Sequence, residues 1–144
     1  MPRKNKKLPR HLLVIRTSAM GDVAMLPHAL RALKEAYPEV KVTVATKSLF
    51  HPFFEGLDVG FLDIETRRTH RGIRGAIRFA REAAELKIDA VADMHNVLRS
   101  KMVRAALHLR GIPVSVIHKG RIEKYMRLGR GSEGVKPLKH TVIR

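Results

Sequence analysis

The stretch Leu12-Leu13-Val14-Ile15-Arg16-Thr17-Ser18-Ala19-Met20-Gly21-Asp22-Val23 constrains the fold more than any other part of the chain. Four consecutive apolar residues, Leu12 to Ile15, read as a strand buried on both faces. A turn of small residues follows, and then Leu26, Ala29, Leu30 and Leu33 recur at helical spacing. A strand that feeds a helix through a tight glycine-containing turn opens a parallel sheet, and such sheets bind ligands beyond the carboxyl ends of their strands. Asp22, beside Gly21, is the carboxylate of this turn and is well sited for chemistry on a bound ligand.

The same alternation continues down the chain. Pro27 lacks a donor N–H and suits only a first turn, so the first helix is expected to start near Val23 or Ala24, with Gly21 and Asp22 at its cap. It stops at Tyr37, before Pro38. Val40 to Thr46 alternates and is β-branched, which predicts a second strand. Lys47 to Gly60 reads as a loop with one helical turn, and Phe61 to Ile64 as a third strand. Between Arg71 and Lys87, Ile73, Ala76, Ile77, Ala80, Ala84 and Leu86 predict one buried helix face, with Arg and Glu opposite. Ile88 and Ala90 to Ala92 give a fourth strand, Val97 to Leu109 a helix ended by Gly111, and Val114 to Ile117 a fifth strand. A short basic helix is expected over Gly120 to Leu128 and a loop over Gly129 to Lys139. The expectation is α/β: a doubly wound, Rossmann-like, mostly parallel sheet of about five strands in the order 3-2-1-4-5.

At 144 residues the chain has the size of one domain. It contains no cysteine, which removes disulfides and thiolate metal sites and is compatible with the cytoplasm. The apolar run after the basic start is cut by Arg16, too early for a signal peptide, and no segment has the length to span a bilayer. A soluble, cytoplasmic protein is therefore expected. The formal net charge of +16 suits a polyanionic partner (nucleic acid, anionic lipid or a phosphorylated glycolipid), or else reflects a generally basic proteome or a charge balanced by a second half. After Met94 the only acids are Glu123 and Glu133. Charge alone does not choose among these partners, and the alternative to an enzyme is a basic α/β protein that binds RNA or another polyanion without catalysis. No nucleic-acid motif accompanies the charge, and aromatic residues are not interleaved with it.

Arg16, Ser18, Ala19, Met20, Gly21, Asp22 and Val23, then Pro27, Ala29 to Leu33, Tyr37 and Pro38, form an ordered pattern. It resembles the opening of the ADP-heptose:lipopolysaccharide heptosyltransferases, glycosyltransferase family 9. A second block, Asp89 to Ser100, is similar to that family's later strand and loop ending in Leu-(Arg/Lys)-Ser. Where the family often has Gln followed by Gly, this chain has His95 and Asn96. The resemblance runs from about Leu12 to the end of the chain and implies the N-terminal domain of a two-domain GT-B enzyme. It divides the chain into a basic tail (1–11), a Rossmann-like acceptor-side domain (12–128) and a basic linker (129–144) toward a second domain. The implied reaction is inverting transfer of a heptose from a nucleotide sugar, ADP-heptose, to the lipopolysaccharide inner core, with no resident cofactor. The chain alone is then expected to be inactive, and to meet the inner membrane peripherally, with no nucleic-acid partner.

Inversion needs a general base to take the acceptor's hydroxyl proton, and the resemblance puts that base on Asp22. Read without the motif, Asp22 is a helix N-cap. Gly21 supplies either a backbone angle and close ligand approach or simply a tight turn. Thr17, Ser18 and the helix-start N–H groups can hold an anionic group of donor or acceptor, although neither G-x-G-x-x-G nor a Walker A pattern is present. His95, Asn96, Arg99 and Ser100 follow the fourth strand on the same edge and are further candidate contacts. Arg99 suits a carboxylate or phosphate, or is a solvated helix-start charge. His95 reads as a hydrogen-bonding residue rather than a metal ligand, since no second ligand follows at i+4. Arg67, Arg68, Arg71, Arg74, Arg78 and Arg81 are a solvated face or a dock for an anionic acceptor, and the basic run from Lys119 to Lys139 is a linker or membrane-surface patch.

Overall fold

The computed structural model describes residues 8–65 and 67–116. The elements run β1 (His11–Ile15), α1 (Met20–Ala36), β2 (Lys41–Thr46), a 3-10 segment (Ser48–Phe54), β3 (Gly60–Asp63), α2 (Gly72–Glu85), β4 (Ala90–Asp93), α3 (Leu98–His108) and β5 (Val114–Val116). All five strands are parallel, in the order β3-β2-β1-β4-β5. The basic helix and loop expected after Ile117, the linker 129–144 and most of the N-terminal tail lie outside the described residues.

The strands form where β-branched and aliphatic residues face helices on both sides. Leu13, Ile15, Ala45 and Val91 pack beneath Phe79, Ala80 and Ala83 of α2 and Val103 and Leu107 of α3. On the other face Val14, Val42 and Val44 meet Val23, Leu26 and Leu30 of α1, with Phe50 and Phe54 of the 3-10 segment. β1 is central, pairing Ile15 with Ala45 on one side and with Asp93 on the other. After β1 the chain builds outward through β2 and β3, then returns to lay β4 against the opposite side of β1. The winding reverses between β1 and β4, which leaves a crevice above their carboxyl ends. Among the described residues no helix is long and apolar enough to cross a membrane.

Two expectations are corrected. α1 begins at Met20, not near Val23, because the Val23 N–H already bonds the Ala19 carbonyl at 3.0 Å. Pro27 therefore lies well inside the helix. The missing N–H and the ring's clash with the preceding turn cost about 3 kcal/mol in an exposed helix; here the ring is buried alongside Val23, Leu26 and Leu30, and its packing offsets part of that. The face of α2 is also rotated from the expected one. Gly75, Ala76, Phe79, Ala80 and Ala83 are buried, while Ile73 and Ile77 are 70% and 47% exposed. Small residues bring α2 close to the sheet, and one phenylalanine fills the space that the isoleucines were expected to fill. Gly75 is required where the chain enters the helix: a Cβ there would stand 2.1 Å from the carbonyl carbon of His70.

Candidate functional site at the carboxyl edge of the sheet

The crevice between β1 and β4 is held together by one buried side chain. Arg16, the first residue after β1 and only 8% exposed, donates from Nη1 to the Met94 carbonyl at the end of β4. From Nη2 it donates to Oδ2 of Asp22 in the first turn of α1. Its guanidinium thus ties both central strands and the helix start to one point, and the Asp22 side chain remains half exposed. Asp22 is not the N-cap. Ala19 occupies that position without a side-chain bond, and Asp22 sits three residues in, where a carboxylate faces the positive end of the helix dipole.

Gly21 differs from expectation. It lies within α1 and not in the left-handed region, so no special backbone angle requires it, and a Cβ placed there would meet no atom within 4 Å. What Gly21 supplies is open space beside Asp22. Ser18 sits above the crevice, its Oγ 3.5 Å from Nε2 of His95, so the loops after β1 and β4 meet at these two residues. Thr17 is buried beneath them. It shares with His70, His95 and Ser100 a cavity of about 20 Å³, room for about one water and not for a substrate.

The loop after β4 is shaped by Asp93. This carboxylate is fully buried; Oδ1 accepts the N–H groups of His95 (3.0 Å) and Asn96 (2.9 Å), and Oδ2 lies 3.6 Å from Nη1 of Arg104. Asp93 is thereby turned inward, as a scaffold rather than a base. Asn96 takes a φ of 47°, a left-handed conformation that asparagine tolerates and that glycine takes freely. Ser100 is buried, and its Oγ accepts the Val97 N–H (2.9 Å) and donates to the Val97 carbonyl (3.0 Å), closing the first turn of α3. Arg99 is the second residue of α3, and its side chain lies outside the described part of the structure. Among the described residues no cluster of three His, Asp or Glu side chains is placed to hold a metal.

The chain matches no family model and no curated protein. Solved structures do match it. A family 9 glycosyl transferase from Veillonella parvula superposes with a TM-score of 0.67 at 17% identity, over 88% of this chain and 44% of its own. The E. coli heptosyltransferase WaaC, determined with ADP, matches with a TM-score of 0.56 at 24% identity, over 93% of this chain and 44% of its own. A UDP-GlcNAc 2-epimerase from Neisseria meningitidis, bound to UDP-GlcNAc, matches with a TM-score of 0.55 at 14% identity, over 81% and 34%. The chain has the fold of one GT-B domain. It spans less than half the length of each of these structures, and at these identities the likeness is one of fold.

Within this GT-B domain the residues singled out from the sequence divide in two. Ser18, Gly21, Asp22 and His95 gather at the mouth of the crevice, whereas Thr17 and Ser100 are buried below it. Arg16 was missed as part of the site. The signal available was a lone cation directly after a fully apolar strand, at the edge where Asp22 had already been placed.

Proposed function

We propose that this chain is the acceptor-side half of an inverting glycosyltransferase, which moves a heptose from ADP-heptose to the inner core of lipopolysaccharide with Asp22 as general base. The observation that carries this reading is the half-exposed Asp22 carboxylate at the winding-reversal crevice, held through one oxygen by buried Arg16, within a motif that resembles family 9. The acceptor hydroxyl loses its proton to Asp22 as its oxygen bonds the anomeric carbon. The bond from that carbon to the diphosphate breaks on the opposite side, and ADP leaves. Arg16 keeps the carboxylate from rotating away. The open space at Gly21 lets the sugar approach, and Ser18, His95 and Asn96 line its path. Arg99, at the first turn of α3, engages the acceptor's acidic sugars or phosphates. Thr17 and Ser100 act from beneath, holding the two loops in place.

Donor binding falls to a second Rossmann-like domain, consistent with the chain spanning 44% of each matched transferase. Positioning both substrates supplies much of the acceleration, so the chain alone is silent. The test is transfer from ADP-heptose to a deacylated core acceptor, by the chain alone and by the chain fused to the donor-side half of a family 9 enzyme. The fusion transfers, the chain alone does not, and Asp22→Asn in the fusion lowers turnover by about two to four orders of magnitude, while the melting temperature falls only modestly, through the weakened pairing with Arg16. Near-native turnover by Asp22→Asn overturns the assignment of the base. Robust transfer by the unfused chain overturns the half-enzyme reading.

A further inference from the structure

The outer face of α2 carries a feature that the glycosyl-transfer reading leaves unused. The helix buries its small residues and Phe79, which turns Ile73 and Ile77, one turn apart, into solvent. Arg81 continues their row, and Arg74 and Arg78 form the row beside it. With Arg67, Arg68 and Arg71 on the approach to the helix, six exposed arginines surround two exposed isoleucines. Glu82 pairs with His70 (2.9 Å) and Arg78 (3.2 Å) and exposed Glu85 follows Arg81 by one turn, so the arginines outnumber the acids of this helix and the field of the face stays positive.

We propose that this face of α2 docks onto an anionic lipid bilayer, with Ile73 and Ile77 entering the headgroup boundary and the arginines pairing with lipid phosphates. Exposed aliphatic side chains ringed by cations are the chemistry of an interfacial helix. A nucleic-acid partner would favour exposed aromatic rings for stacking, and the one aromatic of this helix, Phe79, is buried. Because α2 crosses from β3 to β4 of a parallel sheet, its first turn lies at the carboxyl edge, on the face of the sheet opposite to α1. The proposal needs no donor, acceptor or second domain, and it stands or falls separately from the transfer reaction.

The chain contains no tryptophan, so Ile77→Trp introduces a single tryptophan, on this face, whose emission is excited selectively at long wavelength. Vesicles of phosphatidylcholine alone, and with about one-third phosphatidylglycerol, are titrated with the full chain. The expected result is a blue-shifted emission from the Ile77→Trp protein on anionic vesicles only, with none from Leu49→Trp on the α1 side of the sheet. Partition weakens about fivefold for each of Arg74, Arg78 and Arg81 changed to Gln, and weakens further in high salt. Ile73→Trp serves as the reporter if circular dichroism finds Ile77→Trp unfolded. Unshifted emission from a folded α2 reporter on anionic vesicles overturns the proposal, as does an equal shift from Leu49→Trp. Tight RNA binding that survives Ile73→Ser with Ile77→Ser, without vesicle binding, assigns the face to nucleic acid instead.

Discussion

At the scale of single residues, Arg16 and Asp22 define the site, and Gly21 separates its geometry from its stability. A glycine inside a helix costs roughly 0.5–1 kcal/mol relative to alanine, and a Cβ at Gly21 would meet open space. Gly21→Ala is therefore expected to raise stability by up to about 1 kcal/mol in urea unfolding. In the fused enzyme the same methyl group obstructs the sugar's approach, so activity falls while the fold tightens. A variant as active as the parent would show that no ligand comes close to this turn. The position of Asp22 at the carboxyl edge was legible in the sequence because a buried strand followed by a small-residue turn and a helix puts it there. Arg16 was not, since a cation ending a strand reads as solvent-facing, and only the β1–β4 pairing places the Met94 carbonyl within its reach.

Among the elements, the strands were the most legible: β1 leaves an uninterrupted apolar run because it is buried on both faces, and β2 a β-branched alternation. Helix faces were less so. Counting large apolar residues placed Ile73 and Ile77 inwards, whereas α2 packs through glycine and alanine, whose burial depends on how near the helix can come. The close contact between α2 and the 65–70 loop is testable at Gly75, where the His70 backbone leaves no room for a side chain. Gly75→Ala is expected to destabilise by about 1–3 kcal/mol, the range for overpacking, read as a lower urea midpoint with an unchanged slope. An unaffected midpoint would mean that α2 lies farther from the 65–70 loop. Pro27 misled in the opposite sense: a rule for exposed helices set the start of α1, and core packing overrode it.

For the whole molecule, the opposite edge of the sheet carries its own polar clasp. His11 is buried, with Nδ1 donating to the Leu86 carbonyl (2.9 Å) and Nε2 accepting from the Thr43 hydroxyl (2.8 Å). Burial, helped by Lys41, lowers its pKa, against the opposing pull of the Leu86 carbonyl and Asp89. Burial tends to raise the pKa of Asp89, but the N–H groups of Arg10 and His11 outweigh it and hold the carboxyl below its ordinary value. The folded state therefore favours neutral His11. Its contribution to stability is complete above the unfolded value of 6.5 and is lost as pH falls from there toward the lowered folded value. Asp89 contributes above 3.8, and that share is lost as pH falls through its folded value. Urea midpoints measured across these windows are expected to fall in two stages, the first flattened by His11→Gln and the second by Asp89→Asn. If neither substitution changes the profile, the clasp does not govern acid stability.

The clasp and the crevice lie at opposite ends of the same strands, and that separation bears on how such a protein can change. Substitutions at Ser18 or His95 alter the loops at the mouth of the crevice and leave His11, Thr43, Leu86 and Asp89 in place. The amino-terminal rim can accordingly keep the fold intact while the other rim varies, and a library randomised at Ser18 and His95, with Asn96 kept for its φ of 47°, should retain folded members at high frequency.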